Sequence, residues 1–181
     1  MNCRTVTLSL LLSLGSIGLL STVATAADTP ATSALVTTLN KADAEFVRTS
    51  LLGDMYEIKA SELAVKRGLT GSEATFAKLM SDDHSAVDSD LKMIAKGKQV
   101  AVPTALDEKL QGKLDDLGKK TDADFPAAYL AGQVDAHKTA VSAFKEASED
   151  AKDVDVKAFA TKHLATLQAH LAQAKELASK R

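Results

Sequence analysis

The stretch "DVKAFATKHLATLQAHLAQAKELAS" (Asp155–Ser179) decides the fold. Within it Val156, Ala160, His163, Leu167, His170, Ala174 and Leu177 follow one another by alternating steps of four and three. That spacing is the heptad seam of a helix packed against other helices. Both histidines of the stretch lie on the seam, where apolar side chains belong. The rest of the chain has to explain them.

Working outward, almost every segment has helical period, and Ala, Leu, Lys and Glu dominate it. Strictly alternating β-branched clusters are absent. The pattern predicts an all-α chain of four long helices and one short one. The long helices run roughly over Lys41–Arg67, Glu73–Lys96, Asp124–Glu149 and Asp155–Ser179. Gly68 suits the stop of the first and Ser72 the cap of the second. Gly97 closes the second, with Lys96 and Lys98 near its negative end, where solvated lysines are expected. Pro126 is tolerated in the first turn of the third. Asp153 and Asp155 sit at the positive end of the last.

The two tight turns make two antiparallel hairpins. Between them, Lys98 to Lys120 form a long connection with a short amphipathic helix carrying Leu106, Leu110, Leu114 and Leu117. A simple up-down bundle needs only a few residues there. The expected architecture is therefore a four-helix bundle of ferritin-like topology, with one crossover between the second and third long helices. "DAEF" (Asp43–Phe46) and "DADF" (Asp122–Phe125) open corresponding helices, and "FAK" (Phe76–Lys78) and "FATK" (Phe159–Lys162) recur in their partners. Matches this short arise by chance in Ala-rich helices.

The N-terminal residues read differently. Arg4 precedes the apolar run "LSLLLSLGSIGLL" (Leu8–Leu20), and "ATAA" (Ala24–Ala27) follows with small residues at Ala24 and Ala26. This is the three-part form of a secretory signal peptide, residues 1–26, leaving one domain over residues 27–181. The run is too short to span a bilayer comfortably, which takes about 20 residues. Cys3, the one cysteine, would leave with the signal, so packing rather than disulfides must stabilise the remainder. Of 22 basic and 24 acidic side chains only Arg4 falls before residue 27, so that remainder is mildly acidic. With few aromatics and no basic cluster, it argues against nucleic acid as a partner.

The seam logic extends to the other helices. His84 lies on the stripe Phe76, Met80, Val87, Leu91, Ile94, and His137 on the stripe Leu130, Val134, Val141, Phe144. Glu57 lies among the small residues of Phe46, Ser50, Gly53, Ala60, Ala64. All four histidines therefore face inward. In the crossover topology Glu57, His84, His137 and His170 fall within a layer roughly 6 Å thick, with His163 about two turns further along. Buried and unpartnered, such groups cost on the order of 1–3 kcal/mol each. Two arrangements supply partners. One is a divalent metal ion, zinc, copper or iron, with His163 as a reserve ligand. The other is a closed hydrogen-bond network with Tyr129 and Asp88 as candidate partners. Asp88, one turn after His84, could hold that ring from behind, or be one more solvated surface carboxylate.

These residues carry a resemblance. "YEIKASELA" holds Glu57, "FAKLMSDDHSAVDSDLKMIA" holds His84, "DFPAAYLAGQVDAH" holds Tyr129 and His137, and "KAFATKHLATLQAHLAQA" holds His170. In this order and spacing the chain resembles the domain-of-unknown-function 4142 family, exported ferritin-like bacterial proteins often described as outer-membrane or periplasmic. The resemblance covers nearly all of residues 27–181. It implies the fold, export to the periplasm or outer membrane, and the importance of Glu57, His84, Tyr129, His137 and His170. It implies no activity.

Ferritin-like does not mean iron-oxidising here. A two-iron carboxylate site needs Glu-x-x-His on each of two helices. Three residues before the histidines stand Ser81, Val134, Ala160 and Leu167, none acidic. Nor is there a nucleophile pair or a phosphate loop; "GKLDDLGKKT" (Gly112–Thr121) has five residues between its glycines where four are required. Catalysis would need an open position on a metal. The two functions the sequence supports are a metal-binding envelope protein and a structural or stress-related envelope protein. The second would dock on another envelope protein or on a second copy of the chain, its polar network setting helix register.

Overall fold

In the computed structural model, residues 37–181 are described; the expected signal peptide over residues 1–26, with Cys3, lies outside them. Five helices and no strand make up the described residues: α1 Lys41–Lys66, α2 Gly71–Gly97, α3 Glu108–Gly118, α4 Phe125–Asp150 and α5 Val154–Ser179. None is long and apolar enough to cross a membrane.

The helix ends follow local chemistry. The Asn40 side chain accepts from the Asp43 amide and starts α1, and Asp107 and Asp153 cap α3 and α5 in the same way. Pro126 occupies the first turn of α4. The α1–α2 turn differs from expectation. Ser72 does not cap α2; the helix begins at Gly71, after Thr70. Gly68 and Gly71 both take positive φ, +75° and +60°, a backbone region open to glycine, and they reverse the chain so that α2 begins one residue ahead of Ser72, without a side-chain cap. At the other end of α2 the left-handed residue is Gln99, at φ 57°, rather than Gly97. It turns the chain so that Val100 is buried and its amide donates to the Ala95 carbonyl at 2.8 Å. Lys98, expected to be solvated, instead bridges Asp153 and Asp155 at 2.7 Å each and joins this end to the start of α5.

The hairpins α1–α2 and α4–α5 pack against each other, α1 on α4 and α2 on α5, and α3 lies over α1 and α4. End contacts fix the directions. Asp43 at the start of α1 accepts from the amides of Lys152 and Asp153, just past the end of α4. Arg67 at the end of α1 bonds Asp122, just before α4. Arg181, after α5, meets Glu73 at the start of α2. Hence α2 and α4 run in the same direction, and the connection bearing α3 travels the length of the helix bundle.

The core has two apolar halves. One gathers Val47, Leu51, Leu91, Phe144, Val156 and Phe159; the other gathers Ala64, Phe76, Met80, Phe125, Leu130 and Leu177. Burying a valine, leucine, methionine or phenylalanine side chain stabilises by about 1.5–3 kcal/mol. Between the halves the buried side chains are polar: Asp54, Glu57, His84, Gln133, His137 and His170.

The stripes of α5 and α2 hold, with His163 and Ile94 only half-buried. In α1 the stripe needs correction. Phe46, Ser50 and Gly53 are half-buried, and Val47, Leu51 and Asp54 take the buried line. The line shifts by one position because α1 is covered from three sides, by α2, α3 and α4, so its buried face is wider than a two-position seam. In α4, likewise, Gln133 is buried where Val134 was expected.

Candidate metal centre

Each histidine of the polar layer stands near the middle of its helix, where the backbone is fully hydrogen-bonded and the ring position is set by packing. His84, His137 and His170 are 3%, 1% and 4% exposed. One ring nitrogen from each lies within 4.8 Å of one from each of the others. Their ring centroids are 5.3, 5.5 and 5.9 Å apart, and no pair is coplanar.

The outer nitrogens decide what the inner ones can do. His137 Nδ1 lies 2.9 Å from the Gln133 carbonyl oxygen, which can only accept. His137 Nδ1 therefore carries the hydrogen, and Nε2 of the neutral ring has a bare lone pair. His84 Nδ1 donates to Asp54 Oδ1 at 2.8 Å, and His170 Nε2 donates to Asp83 Oδ2 at 3.0 Å. His170 Nδ1 is left buried without a partner. His84 Nε2 faces His137 Nε2 at 3.4 Å. Two lone pairs repel at that distance, so a cation belongs between them. A proton on His84 serves, giving an imidazolium that bonds Asp54 on one side and His137 on the other. A metal ion serves equally. Two nitrogens about 2.05 Å from a tetrahedral zinc are roughly 3.3 Å apart, close to the spacing seen.

The electrostatics agree. Burial opposes protonation of His84, but the bond to Asp54 and the Glu57 carboxylate outweigh it and raise its pKa. Burial, then the His84 charge, pushes His137 down to about 3. Burial and the same charge lower His170. Burial raises Asp54, against its bond to His84. Burial likewise pushes Glu57 up to about 7.

Glu57 lies behind His137 rather than among the converging nitrogens. Its Oε2 accepts from the Gln133 amide, and its Oε1, buried without a partner, is 3.9 Å from His137 Nδ1. His163 is held apart, its ring on Phe159 with centroids 4.6 Å apart and its Nε2 3.7 Å from Asp90. The Tyr129 hydroxyl shares a 3.0 Å hydrogen bond with Ser61 inside one apolar half. Asp88 pairs with Lys92 at 2.6 Å, and the carboxylate behind His84 is Asp54, from the neighbouring helix.

The seam pattern does not pick out Asp54, Asp83 or Gln133. Two signals could have found them. Asp54 precedes Glu57 by three and Gln133 precedes His137 by four, so each shares a helix face with a residue on the seam. Asp83 reaches across to another helix, which no single-helix pattern encodes.

Residues 27–177 match the family model described as "Domain of unknown function (DUF4142)". No curated protein and no solved structure matches.

Proposed function

The chain belongs to the domain-of-unknown-function 4142 family, and we propose that it is an exported metal-binding protein holding one first-row divalent ion on His84, His137 and His170. One observation carries the reading. Each of the three rings gives one nitrogen to an oxygen outside the cluster, on Asp54, Gln133 or Asp83, and turns the other inward. Oriented imidazoles backed by oxygen acceptors are how proteins prepare histidines for a metal. Zinc, copper and iron all accept this donor set, and three protein ligands leave a position open. Glu57, Tyr129, Asp88 and His163 are then not ligands; Glu57 holds Gln133 and balances charge. The parallel course of α2 and α4 supports a ferritin-like topology for the bundle.

The test is elemental analysis of untagged protein after reloading at neutral pH. About one ion per chain is expected, with melting temperature falling on chelation, since a ligand of the folded state alone stabilises by mass action. His170→Leu should lose most of that chelator response. No stoichiometric metal would leave the network reading, in which chelator changes neither protein. Export to the periplasm or outer membrane rests on Arg4, the apolar run and Ala24-x-Ala26. Intact mass of the envelope form should begin at Ala27; a cytoplasmic chain retaining Met1 would refute it.

A further inference from the structure

A cleft of about 310 Å³ opens between α1 and α4 beneath α3. Small residues make it: Ser50 and Gly53 of α1 face Ala136, Ala140 and Ala143 of α4. The helices do not close on the gap because larger groups stand at both ends: Phe46 against Phe144, centroids 5.0 Å apart, and the Tyr56 hydroxyl against Gly132. The cleft reaches the histidine cluster from behind His84 and His137, and His170 does not line it.

Charge is ordered along its depth. At the floor stand Asp54 and Glu57, 5% and 3% exposed. His84 Nδ1 donates to Asp54 Oδ1 and the Gln133 amide to Glu57 Oε2, but Asp54 Oδ2 and Glu57 Oε1 are buried without a partner. At the mouth stand Arg48, Lys109 and Lys113, all exposed. Arg48 pairs with Glu45, and the acid of the mouth, Asp107, caps α3 through the Leu110 amide. Lys109 and Lys113 are in no ion pair among the described residues. Between floor and mouth the walls are apolar, from Leu52, Ala140, Phe144 and Leu167. Burial raises the pKa of Glu57, and the Lys113 charge is near enough to oppose that rise, so one small molecule can span from floor to mouth.

This order turns away three kinds of occupant. An anion at the floor would meet two carboxylates. A simple organic cation suits the floor but leaves the positive mouth unanswered. A hydrated divalent ion needs about six oxygens, and the apolar walls supply none. A molecule with an ammonium at one end, a carboxylate at the other and an apolar body between them satisfies every part.

We propose that the cleft binds an ω-amino acid with a short apolar body, its ammonium on Asp54 Oδ2 and Glu57 Oε1 and its carboxylate at Lys109 and Lys113. Asp54 and Glu57 are three residues apart on one face of α1, so one ammonium reaches both. Two of its three donors meet the floor oxygens in charge-assisted hydrogen bonds. The carboxylate stays in water at the mouth, where exposed lysines add little affinity but fix the direction of the ligand. The volume is at the small end for ligand sites and suits a body of one ring. No metal takes part, so failure of this site would leave the metal reading untouched.

The experiment is calorimetric titration of the full chain with chelator present, at about pH 8, above the value of about 7 to which burial raises Glu57. The probes are para-aminomethylbenzoate, benzylamine and benzoate, which share one ring and differ in charge. The first should bind saturably, benzylamine roughly three- to tenfold more weakly, and benzoate not measurably. Glu57→Gln should weaken para-aminomethylbenzoate by about tenfold or more. The double variant Lys109→Gln, Lys113→Gln should weaken it by roughly three- to tenfold, yet bind benzylamine at least as tightly as wild type. Damage to the fold cannot produce those opposite signs. A Cβ at Gly53 meets nothing within 4 Å, so Gly53→Leu fills the cleft, favours helix and should abolish binding of both amines. No saturable binding of para-aminomethylbenzoate to wild type would overturn the proposal. So would benzoate binding as tightly, an affinity no better than that of benzylamine, or one that Gly53→Leu leaves unchanged.

Discussion

Asp54 decides the state of His84, and through it the state of the cluster. Its Oδ1 holds the Nδ1 hydrogen, so Nε2 must face His137 with either a proton or a metal between them. Metal uptake therefore displaces the His84 proton, and affinity should rise with pH. Asp54→Asn keeps an acceptor of the same shape but removes the charge that makes His84 basic. Metal affinity should fall by about 10–100-fold, the range typical of lost carboxylate support behind a ligand histidine. Competition against a chromophoric chelator measures it, and circular dichroism checks that the helices remain. An affinity unchanged by the substitution would mean that Asp54 does not orient His84.

At the scale of elements, the two similar tetrapeptides show how position overrides sequence. Asp43 of "DAEF" is buried and accepts from the amides of Lys152 and Asp153 at 3.0 and 2.8 Å, tying the start of α1 to the α4–α5 turn. Asp122 of "DADF" is exposed and meets only Arg67. Asp43→Ala leaves two amides without acceptors and should cost about 1–3 kcal/mol. Asp122→Ala removes one surface ion pair and should stay within about 0.5 kcal/mol. Urea unfolding of both variants compares them directly; equal losses would contradict the account. Metal stoichiometry should be unchanged in either, since neither residue touches the polar layer.

For the whole molecule, the polar layer sets the response to pH. Glu57, raised to about 7 by burial, holds a proton in the folded state that the unfolded chain releases near 4.5. The stability it contributes is full below pH 4.5 and is lost as pH rises towards 7. Asp54 and His84, both raised, act in the same sense. His137, lowered to about 3, refuses a proton that the unfolded chain accepts below 6.5, so its contribution is full above pH 6.5 and is lost as pH falls towards 3. His170, lowered, adds to that. The metal-free protein should be most stable between about pH 5 and 6.5, where the contributions of Glu57 and His137 offset each other, and lose on the order of 1 kcal/mol towards pH 7.5, a loss that Glu57→Gln reduces. With metal bound, the maximum should move above pH 7, because the ion requires neutral imidazoles. Melting across this range, with chelator and with metal, tests both statements. A metal-free protein whose stability climbs steadily to pH 8 would contradict them.

Helix number, helix bounds to within about two residues and the inward turn of the histidines follow from residue spacing alone. Helical period is a local property, and the seams of α2 and α5 express it completely in Phe76, His84 and Leu91 and in Val156, Leu167 and His170. The even depth of His84, His137 and His170 also follows, once the hairpins are known to be antiparallel, because rise per residue is constant. What spacing cannot encode is the rotation of each helix against its neighbours. That rotation put Asp54 rather than Ser50 or Gly53 on the buried line, and left those small residues to open the cleft. It sent Asp83 across to His170 and set Asp88 aside with Lys92. Partners of this kind belong to different helices, and their choice depends on packing among three or four helices at once, so the tertiary structure alone decided which carboxylates stand behind the histidines.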